Sequence, residues 1–559
     1  MPRLRLAPSA AGRVKVAFSI GGGYRPVYVP ELYDELHPPT KAEVFCNTSV
    51  GDLLFSFRSR RLGFLEYLQF LKARRRQHKN GRKKGASVMG FEATPDPCEI
   101  SHKLRDFAKT NQINLFKAKS LLPLAGLVFD TKQAASNHVT LKALADQFES
   151  LGARSWGVTK APIPPSIPVT FGLTNPYHKD LFVGGSSGGA AYSVACGLSS
   201  FSLGTNAGGS NRIPAGLLGL TGLYMGSGIR LPNTSGVKSL HRSAGFICRT
   251  PDDAGILLSH LLRHGSQQQE AIVKNFQARL SDDTIGRIAV ARDLVPPHDD
   301  KEYNKYLYPG TEKIPNLRMS SSVSQCFDLA VSILTENGLL ATKPPSLDIP
   351  DISRAFGAFW LKNHRAPPKG QQTADETGMA TKEITKLLIE PAGAWPNLGA
   401  LDFKPDVYAE KKLGAAVNDS KASYVLTPLL RVPYLSRTRG TPSHAIALKG
   451  ATRVLDASFN PFCIVSNALE TPSITIPVCL GKPRDGVDLP YALLLTSLRP
   501  TTSPQQVVDL VHIAHHMFVA LALMQAPLCK FVGPVWPSCL QLEIRQDIRW
   551  VTGLSVKVD

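Results

Sequence analysis

The chain has 559 residues, 43% of them apolar and 19% charged, which is the composition of a globular protein and excludes one that stays unfolded for lack of apolar surface. Lys and Arg outnumber Asp and Glu by 64 to 44, a formal net charge of +20. No run reaches the roughly 18 apolar residues that a membrane-spanning helix needs, so no transmembrane segment is expected; the longest apolar stretch, 517–524, reads as buried helix.

The first residues are Arg-rich, carry no acid before Glu31 and lack the apolar core of a secretory signal. Two prolines among the first eight residues interrupt an amphipathic presequence. The expected compartment is therefore the cytoplasm, with the mitochondrion as the alternative. Nine cysteines lie scattered between Cys46 and Cys539 with no Cys-x-x-Cys pair, which suits a reducing compartment and offers no zinc spacing. No metal and no cofactor is expected.

Residues 1–100 read as an accessory α+β region of unassigned fold, separate from a second domain over 101–559. Extended stretches at 14–20, 26–30 and 42–47 precede an amphipathic helix at 62–76. A Gly- and Pro-containing linker is expected at 85–97. Much of the positive charge sits in one run: Arg58, Arg60, Arg61, Lys72, Arg74, Arg75, Arg76, Lys79, Arg82, Lys83 and Lys84. Such a run can serve nucleic acid or an anionic surface. The favoured reading is a solvated helix end and loop, because the aromatics Phe64, Tyr67 and Phe70 precede most of the run instead of interleaving with it. Nucleic acid is not an expected partner.

Beyond residue 100 helices and strands alternate. A short strand is expected at 125–130. A helix at 141–151 shows Leu141, Leu144, Phe148 and Leu151 on one face. A small-residue helix spans 190–197, and another spans 252–262, opened by Pro251. Residues 342–420 are polar and read as loops and helices covering a site. Two strands, 473–479 and 491–496, flank a Gly-Lys-Pro-Arg-Asp-Gly turn. A long helix at 503–524 carries His512, His515 and His516, with 512 and 516 on one face. No Glu lies between those two, and a histidine patch is preferred to a metal site. Alternating elements joined by Gly-rich strand-to-helix turns give an α/β fold.

The chemistry concentrates at 184–214. Two Gly-Gly-Ser turns, ending at Ser186 and Ser210, lie 24 residues apart. A hydroxyl nucleophile needs a sharply turned backbone, a proton acceptor and N–H donors for an oxyanion, and glycine pairs allow the first and the last. A phosphate-cradling loop is the rival for 184–189, but the Lys-Ser/Thr ending of a P-loop is missing.

This stretch resembles the amidase signature family, whose run is Gly-Gly-Ser-Ser-Gly-Gly, then Gly-Thr-Asp-x-Gly-Gly-Ser-Ile-Arg-x-Pro. The second half here is Gly204-Thr-Asn-Ala-Gly-Gly-Ser-Asn-Arg-Ile-Pro214. Pro123-Leu-Ala-Gly-Leu-Val-Phe-Asp-Thr-Lys132 resembles the family's Pro-Leu-x-Gly-x-Pro-x-x-Val-Lys strand. Ala244–Ala254 and Glu470–Pro477 resemble its later segments. The resemblance implies a central mixed β-sheet flanked by α-helices. It implies a triad of Ser210 as nucleophile, Ser186 as a bridging serine after a cis peptide, and Lys132 as base. It implies an oxyanion hole from the N–H groups of Ala207, Gly208, Gly209 and Ser210. Ser187 and Thr205 would support the triad, and Arg212 would anchor the turn or a substrate carboxylate. Lysine acts as base only when neutral, so its pKa must fall from about 10.4 by burial. Strand alternation puts Asp130 on the face of Lys132, where a carboxylate would oppose that fall.

The sequence departs from the pattern at Asn206 (Asp in the family), Asn211 (Ile), Tyr224 (Lys) and Gln133 (Asp), and the 54 residues from Lys132 to Ser186 make a short span. Lys160 is a rival lysine whose family position reads as structural. The implied activity is hydrolysis of a small or lipophilic carboxamide through an acyl-enzyme, by a monomer or a homodimer. One alternative is an A-type subunit of a glutamine-dependent amidotransferase. Another is a pseudo-amidase that binds without turnover, which a Lys132 more than about 5 Å from Ser186, or paired with Asp130, would favour.

Overall fold

The computed structural model describes residues 6–8, 14–16, 49–58, 64–80, 89–90, 109, 122–133, 139–161, 170, 173, 175–177, 181–206, 208–226, 243–263, 287–291, 321–336, 339, 422–430, 461–479, 489–498 and 504–525. The stretches expected at 26–30, 42–47 and 342–420 lie outside the described residues.

Strands β1 (Leu6–Pro8) and β2 (Val14–Val16) pair antiparallel. Ten others form one sheet: β3 (Met89–Gly90), β4 (Val128–Lys132), β5 (Arg154–Thr159), β6 (Phe201–Asn206), β7 (Thr221–Tyr224), β8 (Ser243–Cys248), β9 (Arg287–Val290), β10 (Ala422–Pro428), β11 (Ser473–Cys479) and β12 (Pro490–Ser497). Their order is β3-β5-β4-β6-β8-β7-β11-β12-β10-β9. The sheet is mixed, as expected. β4 runs parallel to both β5 and β6, β9 parallel to β10, and the remaining pairs are antiparallel. Part of the stretch expected as linker, β3, is an edge strand on β5.

The helices are α1 (Val50–Arg58), α2 (Phe64–Asn80), α3 (Val139–Ser150), α4 (Gly188–Ala195), α5 (Arg212–Leu217), α6 (Pro251–Arg263), α7 (Ser321–Glu336), α8 (Pro461–Ala468) and α9 (Pro504–Gln525). Their starts follow local chemistry. At α6, Pro251 takes a position whose N–H has no helical partner, and Thr250 and Asp253 exchange bonds, Thr250 Oγ1 accepting from Asp253 N at 3.2 Å and Asp253 Oδ2 from Thr250 N at 3.3 Å. The other Asp253 oxygen accepts from Val50 N at 2.8 Å, so one buried carboxylate serves two helix N-termini.

A large apolar core gathers α1, α2, α3, α6, α7 and α9 with the strands. On β4, Phe129 stacks on Phe201 with centroids 5.3 Å apart, and both meet Phe148 of α3. A second cluster surrounds α4, whose eight residues are all buried, with Leu173, Val183, Leu218 and Ile247. Small residues suit that helix, because they let its backbone pass close to its neighbours. α1 and α2 lie before the boundary expected near residue 100, yet Leu53, Phe57, Tyr67, Leu68 and Leu71 belong to the same core as β4 and α3.

Candidate active site

Strand β4 ends on Lys132, and the turn leading into α4 holds Ser186 and Ser187. Strand β6 ends on Asn206, and the second Gly-Gly-Ser turn runs from there into α5. Because β4 and β6 are neighbours, these termini converge. The Gly185–Ser186 peptide is cis. Lys132 Nζ donates to Ser186 Oγ at 2.8 Å and to Thr205 Oγ1 at 2.9 Å. Ser186 Oγ in turn donates to Ser210 Oγ at 3.1 Å. Lys132 and Ser186 are buried, whereas Thr205, Gly208 and Ser210 are partly exposed. The hydrogen-bond chain therefore runs from the interior to a partly exposed residue, Ser210.

The two turns brace one another. Ser187 N donates to Ser210 O at 3.2 Å, and Ser187 Oγ to Asn211 Oδ1 at 2.9 Å. Asn206 Oδ1 accepts from Asn211 N at 2.9 Å. An amide oxygen thus does at position 206 what a carboxylate oxygen could, without a buried charge. Gly209 has φ +111°, and a Cβ there would lie 2.9 Å from Ile213 Cδ1 and 3.0 Å from Cys463. Only glycine fits this turn without strain. Its carbonyl accepts from Ile213 N at 2.8 Å, which seats the turn on α5.

Arg212 is fully buried. It donates to Ser473 Oγ at 2.7 Å, and to Ser466 Oγ and Asn467 Oδ1 at α8. Its guanidinium also sits 5.1 Å from the Tyr224 ring centroid. It ties α5 to α8 and β11. Burial pushes the Tyr224 hydroxyl well above its ordinary range, so it stays a neutral, electron-rich face for that cation. Ala207 lies outside the described residues.

Asp130 does not spend its charge on Lys132. Arg75 Nη2 donates to its Oδ1 at 2.6 Å and Ser193 Oγ to its Oδ2 at 2.5 Å. Arg75 also donates to the carbonyls of Trp156 and Leu198, each at 3.1 Å, and lies 4.7 Å from the Trp156 ring centroid. Burial raises the Asp130 carboxyl and lowers the Arg75 guanidinium, while their mutual attraction opposes both shifts. Among the basic run's members Arg75 is thus no solvated charge: it is 4% exposed. The spacing supplies the signal that could have found it, since Leu68, Leu71 and Arg75 follow one another at helical intervals on the buried face of α2. Lys160 touches the site through its backbone, its carbonyl accepting from Gly189 N at 3.2 Å.

Among the described residues no group of three or more His, Cys, Asp or Glu is placed to hold a metal ion, and no helix is long and apolar enough to cross a membrane. His512 and His516 contact one another on α9, and Asp252 Oδ1 lies 3.8 Å from His515 Nδ1.

Residues 166–306 match the family model Amidase. The A-type subunit of the glutamyl-tRNA(Gln) amidotransferase from Vesicomyosocius okutanii subsp. Calyptogena okutanii is 44% identical over 88 residues, 16% of this chain and 18% of that protein. Its counterpart from Coxiella burnetii is 40% identical over 105 residues, 18% of this chain and 22% of that protein. The chain therefore aligns with about a fifth of the length of these relatives. Among solved structures, a 6-aminohexanoate cyclic dimer hydrolase in complex with substrate superimposes with a TM-score of 0.56 at 15% identity, covering 86% of this chain and 98% of that one. A bacterial aryl acylamidase of the amidase signature enzymes does so at 0.56 and 18%, covering 89% and 99%.

Proposed function

We propose that this chain, which belongs to the amidase signature family, hydrolyses a small or lipophilic carboxamide through an acyl-enzyme on Ser210. The observation that carries this reading is the hydrogen-bond chain from Lys132 through Ser186 to Ser210, at 2.8 and 3.1 Å. With a protonated amine the chain runs outward, each group donating to the next. With a neutral amine it reverses: Ser210 donates to Ser186, and Ser186 to Lys132 Nζ. In that state attack of Ser210 Oγ on the amide carbonyl passes its proton to Ser186 as Ser186 passes its own to Lys132. The amine leaving group takes the proton back as the C–N bond breaks. Water then attacks the ester by the same relay and frees the acid and Ser210.

The N–H groups of Gly208, Gly209 and Ser210, with Ala207, are the donors we assign to the tetrahedral oxygen. One such donor is worth about 3–4 kcal/mol of transition-state stabilisation. Thr205 Oγ1 holds the amine in line with Ser186, and Ser187 and Arg212 hold the two turns. The distances give no support to a binding protein without turnover, since Lys132 touches Ser186 and Asp130 is paired with Arg75.

The test is intact mass after exposure to a serine-directed fluorophosphonate. One adduct is expected on the wild type and none on Ser210→Ala, with labelling strongly slowed in Lys132→Ala. No adduct on folded wild type would overturn the proposal. A second reading, an amidotransferase A-type subunit, is favoured by the name carried by the aligned relatives. Ammonia release from glutamine that depends on co-purifying chains would support it; turnover of simple amides by the isolated chain would oppose it.

A further inference from the structure

We infer that Asn211 is a positioning residue for the relay: it takes the hydroxyl of Ser187 and thereby sets Ser186, the residue before it, against Ser210. The inference rests on the reading of Ser186 as the bridge between Lys132 and Ser210.

Ser187 and Asn211 each stand immediately before a helix, Ser187 before α4 and Asn211 before α5. Ser and Asn are common at such positions because their side-chain oxygen accepts from an N–H of the first turn. Neither side chain does so here. The two instead meet across the turns, Ser187 Oγ donating to Asn211 Oδ1 at 2.9 Å. One residue earlier in each turn, Ser186 Oγ donates to Ser210 Oγ at 3.1 Å. Two consecutive residues of one turn are thus matched with two consecutive residues of the other. The backbone bond from Ser187 N to Ser210 O, at 3.2 Å, crosses between the two pairs.

The sheet makes room for this pairing. Asn211 is fully buried, and its amide lies against Gly204 and Gly245, cross-strand partners on β6 and β8. A Cβ at Gly204 would run into Asn211 Oδ1 and Ser187 Oγ, and one at Gly245 would stand 3.0 Å from Asn211 Nδ2. Stability does not account for the amide. Its Nδ2 is buried with no hydrogen-bond partner, a cost that an apolar side chain would avoid, and the chain carries Asn here where the family run has Ile. A buried donor left unpaired beside the reacting groups calls for a functional reason. The acceptor on the same amide supplies one. Ser187 has a single hydroxyl proton and a second acceptor, Thr205 O, at the longer distance of 3.3 Å. Without Asn211 Oδ1 the hydroxyl turns to Thr205 O, the turns lose one of their ties, and Ser186 Oγ is no longer held to its distance from Ser210 Oγ.

The experiment is fluorophosphonate labelling of Ser210 in the full chain over a range of reagent concentrations, which separates the saturating rate from the half-saturating concentration. Asn211→Leu keeps the branching of the side chain and removes both polar amide atoms. It should label about 10- to 100-fold more slowly at saturation, with the half-saturating concentration unchanged, since a misplacement of about 1 Å can cost about 10²-fold and the base relay is worth about 10²- to 10⁴-fold. In a Ser186→Ala background Asn211→Leu should slow labelling no further, because Asn211 acts through Ser186. Asn211→Ala and Ser187→Ala add no bulk and should show the same loss and the same dependence on Ser186, which keeps the inference testable if Asn211→Leu does not fold. A merely structural amide would change the amount of folded protein and act equally with and without the Ser186 hydroxyl. A wild-type saturating rate in the folded Asn211 variants, or an equal loss in the Ser186→Ala background, overturns the inference. Ser186→Ala alone separates the two levels: if it labels like the wild type, the reading of the relay fails first.

Discussion

Replacing Ser186 by Ala leaves Lys132 and Ser210 in place but removes the oxygen between them. Lys132 Nζ stands 2.8 Å from that oxygen and Ser210 Oγ 3.1 Å from it, so the amine and the nucleophile then face each other across a gap no direct hydrogen bond spans. Ser210 keeps its backbone anchor at Ser187 N, and Lys132 keeps Thr205, so the turns should stand. Proton removal by a positioned base is worth about 10²- to 10⁴-fold, or about 3–5 kcal/mol at 1.36 kcal/mol per tenfold. The expected loss in fluorophosphonate labelling of Ser186→Ala falls in that range. Lys132→Met should lose a similar amount. The double variant should be no slower than the worse single one, because both remove the same relay. The assay is a time course by intact mass, with thermal unfolding of each variant as a control for folding. Labelling of Ser186→Ala at the wild-type rate would refute the relay. So would a double variant whose loss is the product of the two single losses, since that result describes two independent contributions.

Gly209→Ala should abolish labelling and lower the melting temperature, because the new Cβ meets Ile213 and Cys463 at a φ of +111° that side chains adopt only at a cost of about 1–3 kcal/mol. Tyr491→Phe should lower the denaturant midpoint with no change in m. Tyr491 hydroxyl accepts from Leu430 N at 2.7 Å and donates to Leu430 O, and its loss strands two buried backbone groups at about 1–3 kcal/mol each. Stability should also fall on acidification. Burial pushes His515 down to about 4 and, with help from His515, His516 to about 3. For His515 burial outweighs the nearby Asp252 carboxylate. The unfolded chain, with histidines near 6.5, binds the more protons below that pH. The stabilisation present above pH 6.5 is therefore lost as pH falls from 6.5 toward 4 and then 3, by at most about 2 kcal/mol per histidine between pH 7 and 5. Denaturant titrations at the two pH values should show the loss, and His515→Gln should reduce it; an unchanged midpoint would refute the burial argument.

Much of the fold was legible where chemistry is local. The helix expected at 252–262 is α6, because Pro251 and the acids after it mark its start. The strand expected at 473–479 is β11, because branched and small residues alternate there between turn signals. The helix expected at 62–76 runs on to Asn80, since a basic last turn suits the negative end of the helix dipole. α1 was missed although Ser49 precedes it with Asp52 three residues on, a helix-start signal in the sequence; the role of β3 as an edge strand was missed because two residues carry no readable period. The mutual bracing of the two turns was missed as well, because the hydroxyl of Ser187 finds its acceptor on Asn211, 24 residues away.

By itself the sequence determined the chemistry on offer: two Gly-Gly-Ser turns before helices, and a lysine ending a strand. Those features are local, since a glycine's tolerance of positive φ and a helix's need for a start signal act within a few residues. Only the tertiary structure decided which charges are spent inside. It took Arg75 out of a basic run and set it against Asp130, 55 residues on, and it bound Arg212 to Ser466, 254 residues on. Pattern within one element cannot report such pairings, because burying a charge is acceptable only when its partner arrives from elsewhere in the fold.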